Sequence, residues 1–338
     1  QRRRCSAAPL TNAATVLPAT CVNTPTRAGG DRMLRLALAN DPLDGTIMTN
    51  LANLYTTIGK HAAFDSLMAA MASQGVTYPT ASFRYEELWN RRDYDTAERI
   101  ARAQADSAAP TASMFGQDAM AGIATLRGRL HEAEHRTAQL TETRIRVRGD
   151  TASPYYAAHV RAALDGELRG DVPRGLASLD SALRARPPAT FPVTQDASLW
   201  LAVGYARLGA SAKAREVMNQ YDARLDDLGR RQQFVFFARV HGLIALAEGK
   251  TDSAVAYFRR GDSEADGLPT GNCTVCTPLF VGLSFDRGGQ TDSARFCPTK
   301  YVELTGPSRT GVGPLYLAPA VCRLGELAAS AGATAPRT

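Results

Sequence analysis

Lysine is almost missing from this chain. Only four of its 39 basic residues are lysine (Lys60, Lys213, Lys250, Lys300), and the arginines are scattered through the whole length instead of gathered into a stripe. A nucleic-acid footprint needs clustered basic residues with interleaved aromatics, so that class is set aside. The net charge of +6 still suits an acidic partner surface. Long apolar runs are missing too: the best candidate, QQFVFFARVHGLIALAE, is broken by Arg239 and His241, well short of the roughly 18 uninterrupted apolar residues that cross a bilayer. The chain has no glycine-rich phosphate loop, no His-Arg-Asp, no Asp-Phe-Gly, no Gly-x-Ser-x-Gly, no Cys-x-x-Cys-His and no dinucleotide fingerprint. Those absences remove the motif-borne cases for phosphoryl transfer, serine hydrolysis, haem attachment and nucleotide binding, and no cofactor is expected.

What is present is helical. At 338 residues, 44% hydrophobic and 21% charged, the composition is that of a folded protein. Residues 1–30 carry no period of 3.6 or 2 and are rich in Ala, Thr and Pro, which predicts an extended N-terminal arm. Asp31 is a plausible N-cap for DRMLRLALAN, and helical patterns follow to about residue 330, ahead of a polar tail, 331–338. Strand-like alternation is nearly absent, so the expected class is all-α.

Two stretches expose a period: GKTDSAVAYF at 249–258 and GQTDSARFCP at 289–298. Taking Ala254 and Ala294 as anchors, the matching upstream positions are Phe64, Ala97, Ala133, Gly175 and Ala214, with steps of 33, 36, 42, 39, 40 and 40 residues. Five residues before each anchor stands Gly59, Arg92, Gly128, Gly170, Gly209, Gly249 or Gly289, a glycine in every case but one. Such a glycine closes a helix in the left-handed conformation. Twelve before each anchor stands Ala52, Tyr85, Ala121, Ala163, Ala202, Gly242 or Gly282, and small residues there let two helix axes approach closely. The Thr-Asp-Ser of both stretches is expected to cap the second helix through its side-chain oxygens.

Small residue, turn glycine, alanine and terminal proline in this order resemble the tetratricopeptide repeat, a 34-residue helix-turn-helix unit. About seven divergent copies cover 44–304, clearest in GYARLGASAKAREVM, ALAEGKTDSAVAYF and LRGDVPRGLASLDSALRARPP, with a closing helix over 314–330. The resemblance implies a right-handed α-solenoid over residues 31–330. The stretch from CTVC through LFVGLSFDRGGQTDSA to YLAPAVCRLGELAASAG also resembles repeat regions appended to bacterial serine/threonine kinases, which implies an interaction or sensor module.

The motifs that could carry chemistry have structural competitors. His131, Glu132 and His135 match the His-Glu-x-x-His pattern of zinc proteases, but the motif opens a helix, Ala133 sits at the packing position and no third ligand follows, so zinc is rejected. Cys273 and Cys276 have neither a second Cys-x-x-Cys pair nor a βαβ setting, and are read as structural, bridged or free. Cys297 and Cys322 fall opposite one another if the last two helices form an antiparallel hairpin, which predicts a disulfide there. By elimination Cys5 and Cys21 would close the arm. His61, His159 and His241 are isolated, and His241 reads as a core residue.

The expected function is a non-catalytic protein-interaction scaffold, with contact residues at exposed first-helix positions: Asn50, Asn53, Arg84, Tyr205 and Arg239. Six cysteines and a first residue, Gln1, that is not methionine suit an exported, periplasmic or otherwise extracytoplasmic protein. An accessory subunit of a larger membrane-bound assembly, photosynthetic or respiratory, is the expected role. A sensor region of a bacterial signalling protein is the alternative, and a zinc or thiol enzyme is the third.

Overall fold

The computed structural model describes residues 27–75, 80–193, 196–261, 277–303 and 313–330. Cys5, Cys21, Cys273, Cys276 and the tail 331–338 lie outside the described residues. The described chain is all-α, with sixteen α-helices and no strand. They are α1 (Arg27–Asn40), α2 (Gly45–Ile58), α3 (His61–Ser73), α4 (Thr80–Asn90), α5 (Tyr94–Ala105), α6 (Pro110–Leu126), α7 (Leu130–Arg148) and α8 (Ser153–Ala162). The rest are α9 (Val172–Ala185), α10 (Ser198–Arg207), α11 (Ser211–Asp222), α12 (Asp227–Ala247), α13 (Thr251–Arg260), α14 (Thr277–Arg287), α15 (Thr291–Glu303) and α16 (Gly313–Ser330). A π-helical turn, Ala163–Leu168, continues α8.

The first helix starts earlier than the sequence suggests. It runs from Arg27, so Asp31 lies in its second turn and does not cap it. Its carboxylate accepts from Arg35 and Lys60, both at 2.7 Å, which hold it below the usual carboxylate range although burial opposes them.

Seven helix-turn-helix units follow in the register read from the period. The residues five before each anchor all adopt positive φ, from 62° at Arg92 to 82° at Gly209. Arg92 is the one non-glycine among the described residues in that region. The next residue donates its amide back to the first helix: Lys60 to Tyr55, Asp93 to Leu88, Arg129 to Ala124, Ala210 to Tyr205, Lys250 to Ala245 and Gln290 to Phe285, all at 2.8–2.9 Å. This is the six-to-one bond of a Schellman turn, which satisfies carbonyls at the end of the first helix. The expected Thr-Asp-Ser cap of α13 is not formed. Thr251 is already the first helical residue, and Lys250 stands at the N-cap, its side chain turned to Glu248 and making no capping bond.

The anchors are the helix-to-helix contacts. Ala97, Ala133, Ala214, Ala254 and Ala294 are each 0% exposed. Gly242 and Gly282 show why size matters there: a methyl group on either would lie 2.4 Å from the Phe258 ring or from Pro298, closer than any real contact.

The chain divides into two compact units, one up to Ala97 and one from Glu98 onward, the division falling inside α5. In the first, α1 to α4 enclose a core of Ile47, Met48, Leu51, Phe64, Met68 and Met71. Tyr85 and Trp89 are buried against one another, with ring centres 5.8 Å apart. In the second, each hairpin packs internally, α8 lies against α10 and α10 against α12. One continuous core runs from Tyr155 through Leu201, Val240 and Phe280 to Tyr316.

Candidate functional site

The closing helix does more than cover the last hairpin. Besides α15, α16 packs against α6 and against the π turn, elements more than a hundred residues earlier in the chain. Leu315 joins a buried cluster with Ala124, Val160, Ala163 and Leu164. Tyr316 meets Phe280 edge-on, ring centres 5.4 Å apart, and lies 4.1 Å beneath the Arg207 guanidinium. Arg323, two helical turns on, makes paired hydrogen bonds to Asp286 at 2.7 and 2.8 Å. One helix thus reaches side chains of four first helices, α6, α8 with its π turn, α10 and α14. Together their side chains form the floor on which α16 packs as part of the core.

Polar groups stand beside this floor, Asp118 and Arg144 of them only part-buried. Asp118 on α6 accepts from the Tyr156 hydroxyl, with Arg144 3.9 Å from the carboxylate and 5.3 Å over the Tyr156 ring. Glu167 on the π turn pairs with Arg207 on α10. Burial raises the carboxyls of Asp118 and Glu167 above their ordinary range, and Arg144 and Arg207 respectively pull the other way. An aromatic row lies alongside: Tyr156 and His159 against Trp200, and Trp200 against Phe236 at 5.5 Å. Burial first and Arg207 second push the His159 imidazole down to about 3, so it stays neutral through the physiological range.

The π turn explains one feature of this floor. At the Gly170 turn the amide of Asp171 reaches Asp165, one residue further back than in the other units, and Arg169 bonds to Leu164 five residues before it. The widened turn holds Asp165 in the interior, 1% exposed and paired with Arg169 and Arg174, while Glu167 meets Arg207. Wide turns of this kind concentrate at functional sites.

The residues expected at contacts fare unequally. Asn53 and Arg84 are exposed and Asn50 is half-buried, on α2 and α4, which pack side by side. Tyr205 is not a surface residue: it is 0% exposed and donates to Asp180 at 2.7 Å. It stands nine before its anchor, the register that faces the neighbouring helices, as Tyr55 does. Arg239 is also interior, at 7%. The predicted Cys297–Cys322 bridge is absent, and both are free thiols. Cys297 turns toward α14, where its Cβ lies against Gly282, whereas Cys322 is exposed and near Glu326.

His131 and His135 are exposed in the first two turns of α7. Glu132 between them is taken by Arg129 at 3.0 Å and lies 3.9 Å from Arg136. Among the described residues no three His, Cys, Asp or Glu side chains are grouped as a metal site would need, and no helix is long and apolar enough to cross a membrane. Sequence reasoning passed over Asp118, Tyr156, Glu167, Arg207 and Tyr316. Their signal was register: each is a polar or aromatic residue on a first helix or on the closing helix.

No family model matches the chain, and no curated protein does. Among solved structures, a tetratricopeptide repeat protein from Parabacteroides merdae aligns over 82% of this chain and 100% of its own length, with 12% identity and a TM-score of 0.47. The fold is seven helix-turn-helix units of tetratricopeptide-like register among the described residues.

Proposed function

We propose that the protein is a non-catalytic scaffold that holds other proteins on the first-helix faces of its hairpins. The observation that supports this most is the division of labour in each hairpin. Anchors and turns are committed to packing, while α2 and α4 leave Asn53 and Arg84 exposed on adjacent helices. Neighbouring first helices with exposed polar groups offer a surface that a folded partner or segment can cover. The finer reading is an exported accessory subunit of a larger membrane-bound assembly in the periplasm or an equivalent compartment. Its basis is the even count of six cysteines in the sequence, of which Cys297 and Cys322 are free thiols.

The test is affinity isolation of the tagged protein from the membrane and extracytoplasmic fractions of its own cells under mild detergent, followed by mass spectrometry. A fixed set of subunits recovered in stoichiometric amounts, and lost on Arg84→Glu, is the expected result. Recovery of the chain alone overturns the subunit reading.

A further inference from the structure

We infer that the recess between α1 and the turn joining α2 to α3, in the first unit, binds a phosphate-type oxyanion carried on an organic group. The inference goes beyond the scaffold reading and stands apart from it, since the ligand is not a protein.

Three observations carry it. The first is the recess itself. Asp31, Arg32, Arg35, Leu36 and Lys60 line a depression of about 480 Å³. Four of them belong to α1, and Lys60 stands in the turn, 29 residues along the chain from Asp31. The fold, and not the local sequence, brings this set together.

The second is how its charges are shared. Three cations face one carboxylate, which leaves the lining with a net charge of +2. Asp31 accepts from Nε of Arg35 and from Nζ of Lys60, both at 2.7 Å. Its side chain is 13% exposed, whereas those of Arg35 and Lys60 are 55% and 44% exposed. The carboxylate therefore acts as a post that fixes the direction of two cations and leaves their heads in contact with solvent. Donors held in place before a ligand arrives lose less freedom on binding it. Arg32 is exposed and has no hydrogen-bond or ion-pair partner among the described residues. An unpaired guanidinium beside two held cations recruits an anion.

The third is the shape that fits. Donors from three separate side chains suit a tetrahedral group with several oxygens better than a planar carboxylate, which a single arginine fork already fills. Leu36 is 54% exposed, and Met33, three residues before it on the same face of α1, is 41% exposed. These apolar groups give the rest of the ligand a surface to lie on, so a phosphate ester fits better than the bare ion. A soluble phosphate ester and the headgroup of an anionic lipid share this chemistry.

The test titrates the full, isotope-labelled chain with inorganic phosphate and then with phenyl phosphate at low ionic strength, following backbone amide shifts. Saturable shifts should be confined to residues 31–36 and Lys60, and phenyl phosphate should bind more tightly than phosphate, a gain lost in Leu36→Asp. Arg32→Glu should weaken binding by roughly tenfold or more, because it removes a charge-assisted donor and reverses its sign. Arg146→Glu, at an exposed arginine of α7 with no partner among the described residues, should leave binding unchanged. Flotation with vesicles then separates the two sources. Capture on phosphatidylglycerol but not on phosphatidylcholine vesicles, abolished by Arg32→Glu, identifies the lipid headgroup; no capture beside saturable phenyl phosphate binding identifies a soluble ester. Absence of saturable shifts, shifts spread over arginines of the whole surface, or equal weakening by Arg32→Glu and Arg146→Glu overturns the proposal. None of these results bears on the affinity isolation, so the two readings fail separately.

Discussion

Single side chains show both the reach and the limit of sequence reasoning. Scattered carboxylates on amphipathic helices read as a solvated face, yet Glu87 is buried against His61 and Arg91, and Asp165 is interior. Whether a polar residue faces water depends on which helices flank its own, and that is tertiary information. Tyr205 could have been placed, because its register matches that of Tyr55; Arg239 could not. Glu86 on α4 gives a sharp test at this scale. Desolvation pushes its carboxyl up from 4.5 to about 7, and its Oε2 has no hydrogen-bond partner. Between those values the folded chain keeps the proton and the unfolded chain has released it. Stability therefore falls as pH rises across the window. Glu86→Gln should be neutral near pH 4 and stabilising above pH 7, by up to about 3 kcal/mol, in urea denaturation followed at several pH values. A gain independent of pH would show that burial of the charge is not the cause.

At the scale of the element, the hairpin turn was the most legible feature. Glycine five residues before a small anchor reports a left-handed residue, and the anchor reports a close helix contact, so two local signals fix one supersecondary unit. The widened turn after α8 was not legible, because a π turn needs only one extra residue and leaves no residue-type signature. Nor was the distribution of side-chain caps, since Asp44, Asp171 and Asp226 cap their helices whereas the Thr-Asp-Ser of α13 lies inside its helix. Arg92 is the exception that measures the rule. Its φ of 62° is costly for a residue with a Cβ. Arg92→Gly should raise stability by about 0.5 to 1 kcal/mol, the left-handed penalty less the added entropy of glycine in the unfolded chain. Gly249→Ala and Gly289→Ala should each lower it by about 1 kcal/mol in thermal denaturation. No change in any of the three variants would mean that the turns relax without strain.

At the scale of the whole molecule, the period predicted an all-α array with a closing helix, and the structure has both. What the period could not carry is the destination of that helix. Repeats encode contacts between neighbours, whereas the contacts of Leu315 and Tyr316 span well over a hundred residues and follow no repeat. The place of the closing helix in the core of the second unit is therefore tertiary information that no repeat encodes.

The most direct measurement is hydrogen exchange by mass spectrometry on the intact chain. The account predicts that the amides of 315–318 and 320–322 exchange slowly, like those of α6 and the π turn, because the closing helix is built into the core of the second unit. Exchange of this segment at the rate of an unstructured peptide would contradict it.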